Sequence, residues 1–84
     1  MLPMAKPSPS YSGLPELVAL GSAIRDLRLK AGLSQEAFAD EAGIDRSYAG
    51  GIERGEHNVA LINLMKIASA LNMTLAQLAQ KAKI

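Results

Sequence analysis

Residues 33–55, LSQEAFADEAGIDRSYAGGIERG, decide how the chain folds. They read as two short helices joined by a tight turn. Ser34 is placed to cap the first, since its hydroxyl can accept a bond from a backbone N–H that a helix start leaves unpaired. Ala37, Phe38 and Ala42 recur at helical spacing and form one apolar stripe. Gly43 follows, and glycine enters a left-handed turn without steric cost. Asp45 is placed to cap the second helix, whose buried stripe is Ala49 and Ile52, and Gly55 ends it. Two helices joined by a short turn with Gly form a helix-turn-helix motif.

The flanks continue the pattern. Upstream, a helix is predicted from about Pro15 to Ala31, with Pro15 suited to a first turn and Glu16 to the positive end of the dipole. Its inward stripe is Leu17, Leu20, Ile24, Leu27 and Ala31, and Gly32 is the expected C-cap. Downstream, a fourth helix is predicted from about Leu61 to Leu71, with Leu61, Leu64, Ile67, Ala68 and Leu71 in the core and Ile62 and Met65 beside it. Thr74 can cap a fifth, with Leu75, Leu78, Ala79 and Ala82 facing inward or toward a partner. No strand pattern of useful length is present.

Leu33-Ser34-Gln35, Phe38-Ala39, Ala42-Gly43-Ile44, Tyr48 and Ile52-Glu53-Arg54-Gly55 together resemble the helix-turn-helix domain of the Xre family, the phage Cro and CI repressor type. Leu20-Gly21, Ile24-Arg25, Leu27-Arg28 and Gly32 resemble that family's first helix. Leu61, Leu64, Ile67-Ala68 and Ala70-Leu71 resemble its fourth, and Leu75 to Leu78 its fifth. The likeness spans roughly residues 17 to 80 and is specific as a combination, though any one piece is weak. It implies an all-α, compact five-helix, lambda-repressor-like domain over residues 15–84.

Composition sets bounds on the function. The length of 84 residues fits one domain, and so small a core gives a narrow stability margin unless the chain oligomerises. With no cysteine there is no disulfide or thiolate metal site, and His57 is the one histidine, so neither a metal nor another cofactor is expected. A catalytic constellation is missing too: there is no phosphate-cradling glycine loop, and Ser34 has no histidine partner nearby in sequence, so no enzyme is expected. The first residues lack an apolar signal core, and no run approaches the roughly 18 apolar residues of a membrane span. The default expectation is a cytoplasmic protein with no membrane partner and no evident small-molecule effector.

Charge bears less simply on the choice of partner. The net charge is only +1, and residues 34–56 carry six acids (Glu36, Asp40, Glu41, Asp45, Glu53, Glu56) against two bases, Arg46 and Arg54. Nucleic-acid binding then requires the acids to point away from a duplex and the bases toward it.

The resemblance implies where double-stranded DNA is met. Arg46, Ser47 and Gly51 take the positions that face the major groove in the family, and a guanidinium such as that of Arg46 can bind guanine O6 and N7 together. Gly51 departs from relatives that carry a polar reader there. Without a side chain it reads no base, though it leaves room for close backbone approach. Gln35 matches the family glutamine that faces a phosphate from the start of the second helix, where backbone N–H groups also point outward. Tyr48 offers its hydroxyl to a phosphate or serves as a half-buried packing ring. Arg54 and Asn58 lie where relatives touch the backbone, and Arg54 alternatively serves as a solvated charge favouring the helix dipole. Arg28 and Glu53 match a semi-buried salt bridge of the family.

A monomer offers few base contacts, and family members act as symmetric dimers on pseudo-palindromic sites. The predicted dimer surface is Ile62, Met65, Leu75, Leu78, Ala79 and Ile84, some of which can instead close the monomer core. Residues 1–14, with Pro3, Pro7, Pro9 and three serines, read as a flexible arm, either a plain leader or one that meets DNA through Lys6. The chain also resembles the small controller regulators of restriction-modification systems. The expected function is sequence-specific transcriptional regulation as a homodimer. The alternative is a protein-interaction module, such as an antitoxin or a helix-turn-helix domain without DNA binding, which the acidic motif and Gly51 favour.

Overall fold

Five helices follow one another in the computed structural model, which describes residues 11–84. They are α1 (Pro15–Lys30), α2 (Gln35–Ala42), α3 (Arg46–Glu53), α4 (Leu61–Ala70) and α5 (Leu75–Ala82). Among the described residues there is no strand. Helix α1 lies against α3 and α5, α2 against α3 and α4, and α4 against α5.

Local chemistry fixes most of the boundaries. The Ser34 hydroxyl accepts from the Ala37 N–H at 3.0 Å and starts α2. The Asp45 carboxylate accepts from the amides of Ser47 and Tyr48 at 2.9 and 3.3 Å and starts α3. Thr74 and Gln77 form a reciprocal box at the head of α5, each side chain accepting from the other residue's backbone N–H, at 3.1 and 2.9 Å. Pro15 opens α1 with no side-chain cap, as suits a residue that has no N–H to satisfy. Its C-cap is Ala31, one residue before the expected Gly32, which takes the next, left-handed position at φ 74°.

The largest fully buried side chains are Ile24, Phe38, Ile67 and Leu78, which come from α1, α2, α4 and α5. Burial of each stabilises the fold by about 1.5–3 kcal/mol before entropy is counted. Leu78 corrects the predicted dimer surface: with none of its area exposed it closes the monomer core. Leu75 and Ala79 are half-buried, with Leu75 packed against that core. Two stripe assignments also change. Ala31 is exposed because α1 has already ended, and Leu61, the first residue of α4, is 59% exposed.

Helix α1 crosses the end of α3 at Gly21. A Cβ there would collide with the carbonyl oxygens of Ile52 and Glu53, the latter at 2.6 Å. The missing side chain is therefore what lets the two backbones meet, a tighter constraint than the loss of helix propensity.

Most of the expected arm, including Lys6, lies outside the described residues. Residues 11–14 lie beside the turn after α3, where the Gly13 N–H donates to the Gly55 carbonyl at 2.9 Å. Among the described residues no helix is long and apolar enough to cross a membrane.

Candidate functional site

The site is built on the angle between α2 and α3. Helix α2 ends on Gly43 at φ 71°, in the left-handed conformation, which reverses the chain within the two residues before Arg46. Ile44 then donates its N–H back to the Ala39 carbonyl at 3.0 Å and closes the turn. Behind the turn, Phe38, Ala39, Ala42, Ala49 and Ile52 are buried together, which fixes α3 against α2.

One carboxylate ties three helices. The Arg28 guanidinium of α1 donates from Nε to Glu53 Oε2 at 2.7 Å and from Nη2 to Oε1 at 3.0 Å, while its Nη1 donates to the Leu33 carbonyl at 3.0 Å. Arg28 is 8% and Glu53 9% exposed, so this is a buried, two-pronged ion pair. The hydrogen bonds it donates to Glu53 hold the guanidinium even more firmly protonated than usual. Gln35 Nε2 adds a third donor, to Oε1 at 3.1 Å. No buried side-chain nitrogen or oxygen among the described residues is left without a partner.

Gln35 is thereby half-buried at the first position of α2, with one amide hydrogen committed to Glu53. Ser34 takes the Ala37 N–H, while the amides of Gln35 and Glu36 have no intrahelical acceptor, as at any helix start. Arg46 and Ser47 are exposed at the start of α3. That start differs from that of α2, because the Asp45 carboxylate already accepts from the Ser47 and Tyr48 amides. Here Arg46 projects as the one long donor, and a backbone anion site is filled.

Tyr48 is half-buried. Its hydroxyl accepts from Asn63 Nδ2 on α4 at 3.4 Å, and its ring meets the His57 ring edge-on at 5.0 Å and 62°. A hydroxyl in that position keeps its own hydrogen to donate outward. Asn58 is exposed in the loop before α4.

Gly51 is buried, where the resemblance implied a groove-facing backbone. His57 covers it: a Cβ on Gly51 would stand 2.5 Å from His57 Nε2 and 2.6 Å from Cδ2. The close approach made possible by the glycine is thus that of an imidazole from the same chain. Arg54 is exposed, and its Nε and Nη2 donate to Glu56 at 2.8 and 3.3 Å. That bond holds the Glu56 carboxyl below the usual carboxylate range.

His57 and Glu56 both belong to this surface, and the sequence did not single them out. Neither lies on a helical stripe. The one available signal was the Gly50-Gly51 pair, which asks what fills the space that two missing side chains leave. On α4, Ile62 and Met65 are 63% and 51% exposed and line a shallow groove with Glu41 and Lys66. Ile84 is 54% exposed.

Comparison with known proteins agrees with the fold. Residues 24–78 match the family described as helix-turn-helix. The control protein C.MunI of a Mycoplasma species is 44% identical over 62 residues, 73% of this chain and 84% of that protein. The crystal structure of the restriction-modification controller protein C.AhdI from Aeromonas hydrophila superposes with a TM-score of 0.73 at 49% identity, covering 75% of this chain and 96% of that one. The clp gene regulator ClgR from Corynebacterium glutamicum superposes at 0.77 with 26% identity, covering 86% of this chain and 76% of that one.

Proposed function

The chain belongs to the helix-turn-helix family of Xre-type regulators, and from that membership we propose that it is a sequence-specific DNA-binding transcriptional regulator, acting as a homodimer on a pseudo-palindromic operator. The observation that carries this reading is the exposed Arg46 at the head of α3, on a helix locked to α2 through the buried core behind Gly43. An exposed guanidinium at the start of a helix that enters the major groove reaches guanine O6 and N7. Gln35 and the free amides of α2 take a phosphate and set the register, and Ser47, the Tyr48 hydroxyl, Arg54 and Asn58 add backbone contacts. With Gly51 covered, base readout falls on Arg46, and the shape of the duplex carries the remaining discrimination.

Dimerisation rests on Ile62, Met65 and Ile84, large apolar side chains left exposed at α4 and at the C-terminal end. Leu75 and Ala79 supply half-buried support at the edge of that surface. The relatives named controller proteins support placing this chain among the regulators of restriction-modification operons. Such a protein works in the cytoplasm, needs no cofactor and performs no catalysis.

A second reading, a protein-interaction module without DNA binding, draws on the acids of the motif and on Arg54 being already paired with Glu56. A gel shift on the DNA upstream of the protein's own gene, over a salt series, separates the two. A shifted band that weakens linearly on a log–log salt plot is expected. No shift at low salt on that DNA or on a random library supports the second reading.

A further inference from the structure

Glu56 stands on the same face as the groups assigned to DNA. Its Oε2 and Oε1 receive Arg54 Nε and Nη2 at 2.8 and 3.3 Å. Oε1 also reaches back over α3, to 3.5 Å from where a Cβ of Gly51 would stand. Both partners are exposed, with 63% of the Arg54 and 44% of the Glu56 side chain open to solvent. A phosphate presents two oxygens to the same edge of the guanidinium fork that this carboxylate now fills. Only one of them can be there.

We propose that Glu56 competes with the DNA backbone for Arg54: it holds the guanidinium in the free protein, a phosphate displaces it on binding, and so it sets overall affinity and its salt response without changing which sequence is preferred. The inference rests on the assignment of Arg54 as a phosphate contact. An exposed ion pair is weak, so the exchange goes through, but binding is looser than an unpaired Arg54 allows. Displacement also leaves a carboxylate beside the polyanion, which adds repulsion. Arg28–Glu53 is different in kind, because it is buried and out of reach of a phosphate. Raising the salt weakens the exposed pair as well as the phosphate contact. The handicap imposed by Glu56 is therefore largest at low salt.

The test uses the full chain and two labelled duplexes of equal length, one selected by the protein from a random library and one unrelated. Kd is measured by fluorescence anisotropy across a salt series for the wild type, Glu56→Gln, Arg54→Ala and the double variant, with thermal melting to confirm folding. Glu56→Gln should bind both duplexes about two- to fivefold tighter at low salt, the scale of an exposed ion pair. The gain should shrink as salt rises, leave the ratio between duplexes unchanged and fall, in the Arg54→Ala background, to the smaller part owed to repulsion alone. If Arg54→Ala weakens binding but Glu56→Gln does not tighten it, the competition is wrong. A gain that persists in full without Arg54 also overturns it, and assigns Glu56 to general repulsion. If Arg54→Ala leaves affinity unchanged, the assignment of Arg54 itself falls, and the competition with it.

Discussion

Gln35 and Glu53 stand 18 residues apart and are joined by a hydrogen bond of 3.1 Å, so the first residue of α2 hangs on the carboxylate that also grips α1. The bond aims Gln35. With one amide hydrogen on Glu53, the second points away from it, and a phosphate contact by that hydrogen depends on an acid buried behind it. Glu53 therefore supports the fold and, on the proposed function, the interface as well.

The first prediction concerns that carboxylate. Glu53→Ala leaves the Arg28 guanidinium buried with only the Leu33 carbonyl as acceptor. Breaking a buried pair from one side costs on the order of 3 kcal/mol. Urea denaturation should show a loss of that size, and an unchanged midpoint would contradict it.

Readout separates Arg46 from Gln35. Arg46→Ala should lose about 1–3 kcal/mol on the cognate operator and relax the preference at one position per half-site. Gln35→Ala should weaken all sites alike and preserve their ranking. Binding of both variants to a panel of single-base operator changes checks the distinction. A uniform loss for Arg46→Ala would make it a phosphate contact only.

Two glycines on helices should respond in opposite ways. A methyl group at Gly21 meets backbone carbonyls that cannot step aside, so Gly21→Ala should destabilise by about 1–3 kcal/mol or more. At Gly50 the nearest groups are the ends of the Arg54 and Gln35 side chains, at 3.2 and 3.3 Å, which can give way. There the added helix propensity favours alanine, and Gly50→Ala should be neutral or stabilising by up to about 1 kcal/mol. Thermal melting of the two variants side by side decides.

The last pair tests the dimer surface. Met65→Glu places a charge on an exposed face and should leave the monomer folded while sedimentation shows dissociation. Leu78→Glu buries a charge in the core and should unfold the chain. If Met65→Glu and Ile62→Glu both sediment like the parent, the dimer does not use α4.

Much of the fold was legible because its boundaries are written in single residues. Ser34, Asp45 and Thr74 each supply one acceptor at a helix start, and Gly43 supplies one left-handed position. The turn after α4 was harder to read. It places Asn72 at φ 58°, a conformation that Asn tolerates but that its presence alone does not announce. The stripe of α5 was visible, yet periodicity finds an apolar face without saying what covers it. Leu78 therefore read as either core or partner surface, and it fills the core. At the site, Arg46, Ser47 and Gln35 were visible as types at helix starts. Their surroundings were not, because the Gly51–His57 contact and the Arg54–Glu56 pair depend on how the loop after α3 folds back. A count of acids by sign could not tell that Glu53 is buried, Asp45 spent on a cap and Glu56 bound to an arginine.

The crossing at Gly21 has a genetic reading. The position lies on α1, outside the motif, yet the atoms that bar a side chain there are the last carbonyls of α3, the helix proposed to read DNA. Substitutions at Gly21 should therefore appear in a screen for lost repression or activation, as conditional alleles that fail when warmed and recover when cooled. Second-site suppressors should arise by general stabilisation of the core rather than by new contacts with the operator. To a geneticist this residue would score as regulatory, though it is buried against the end of α3.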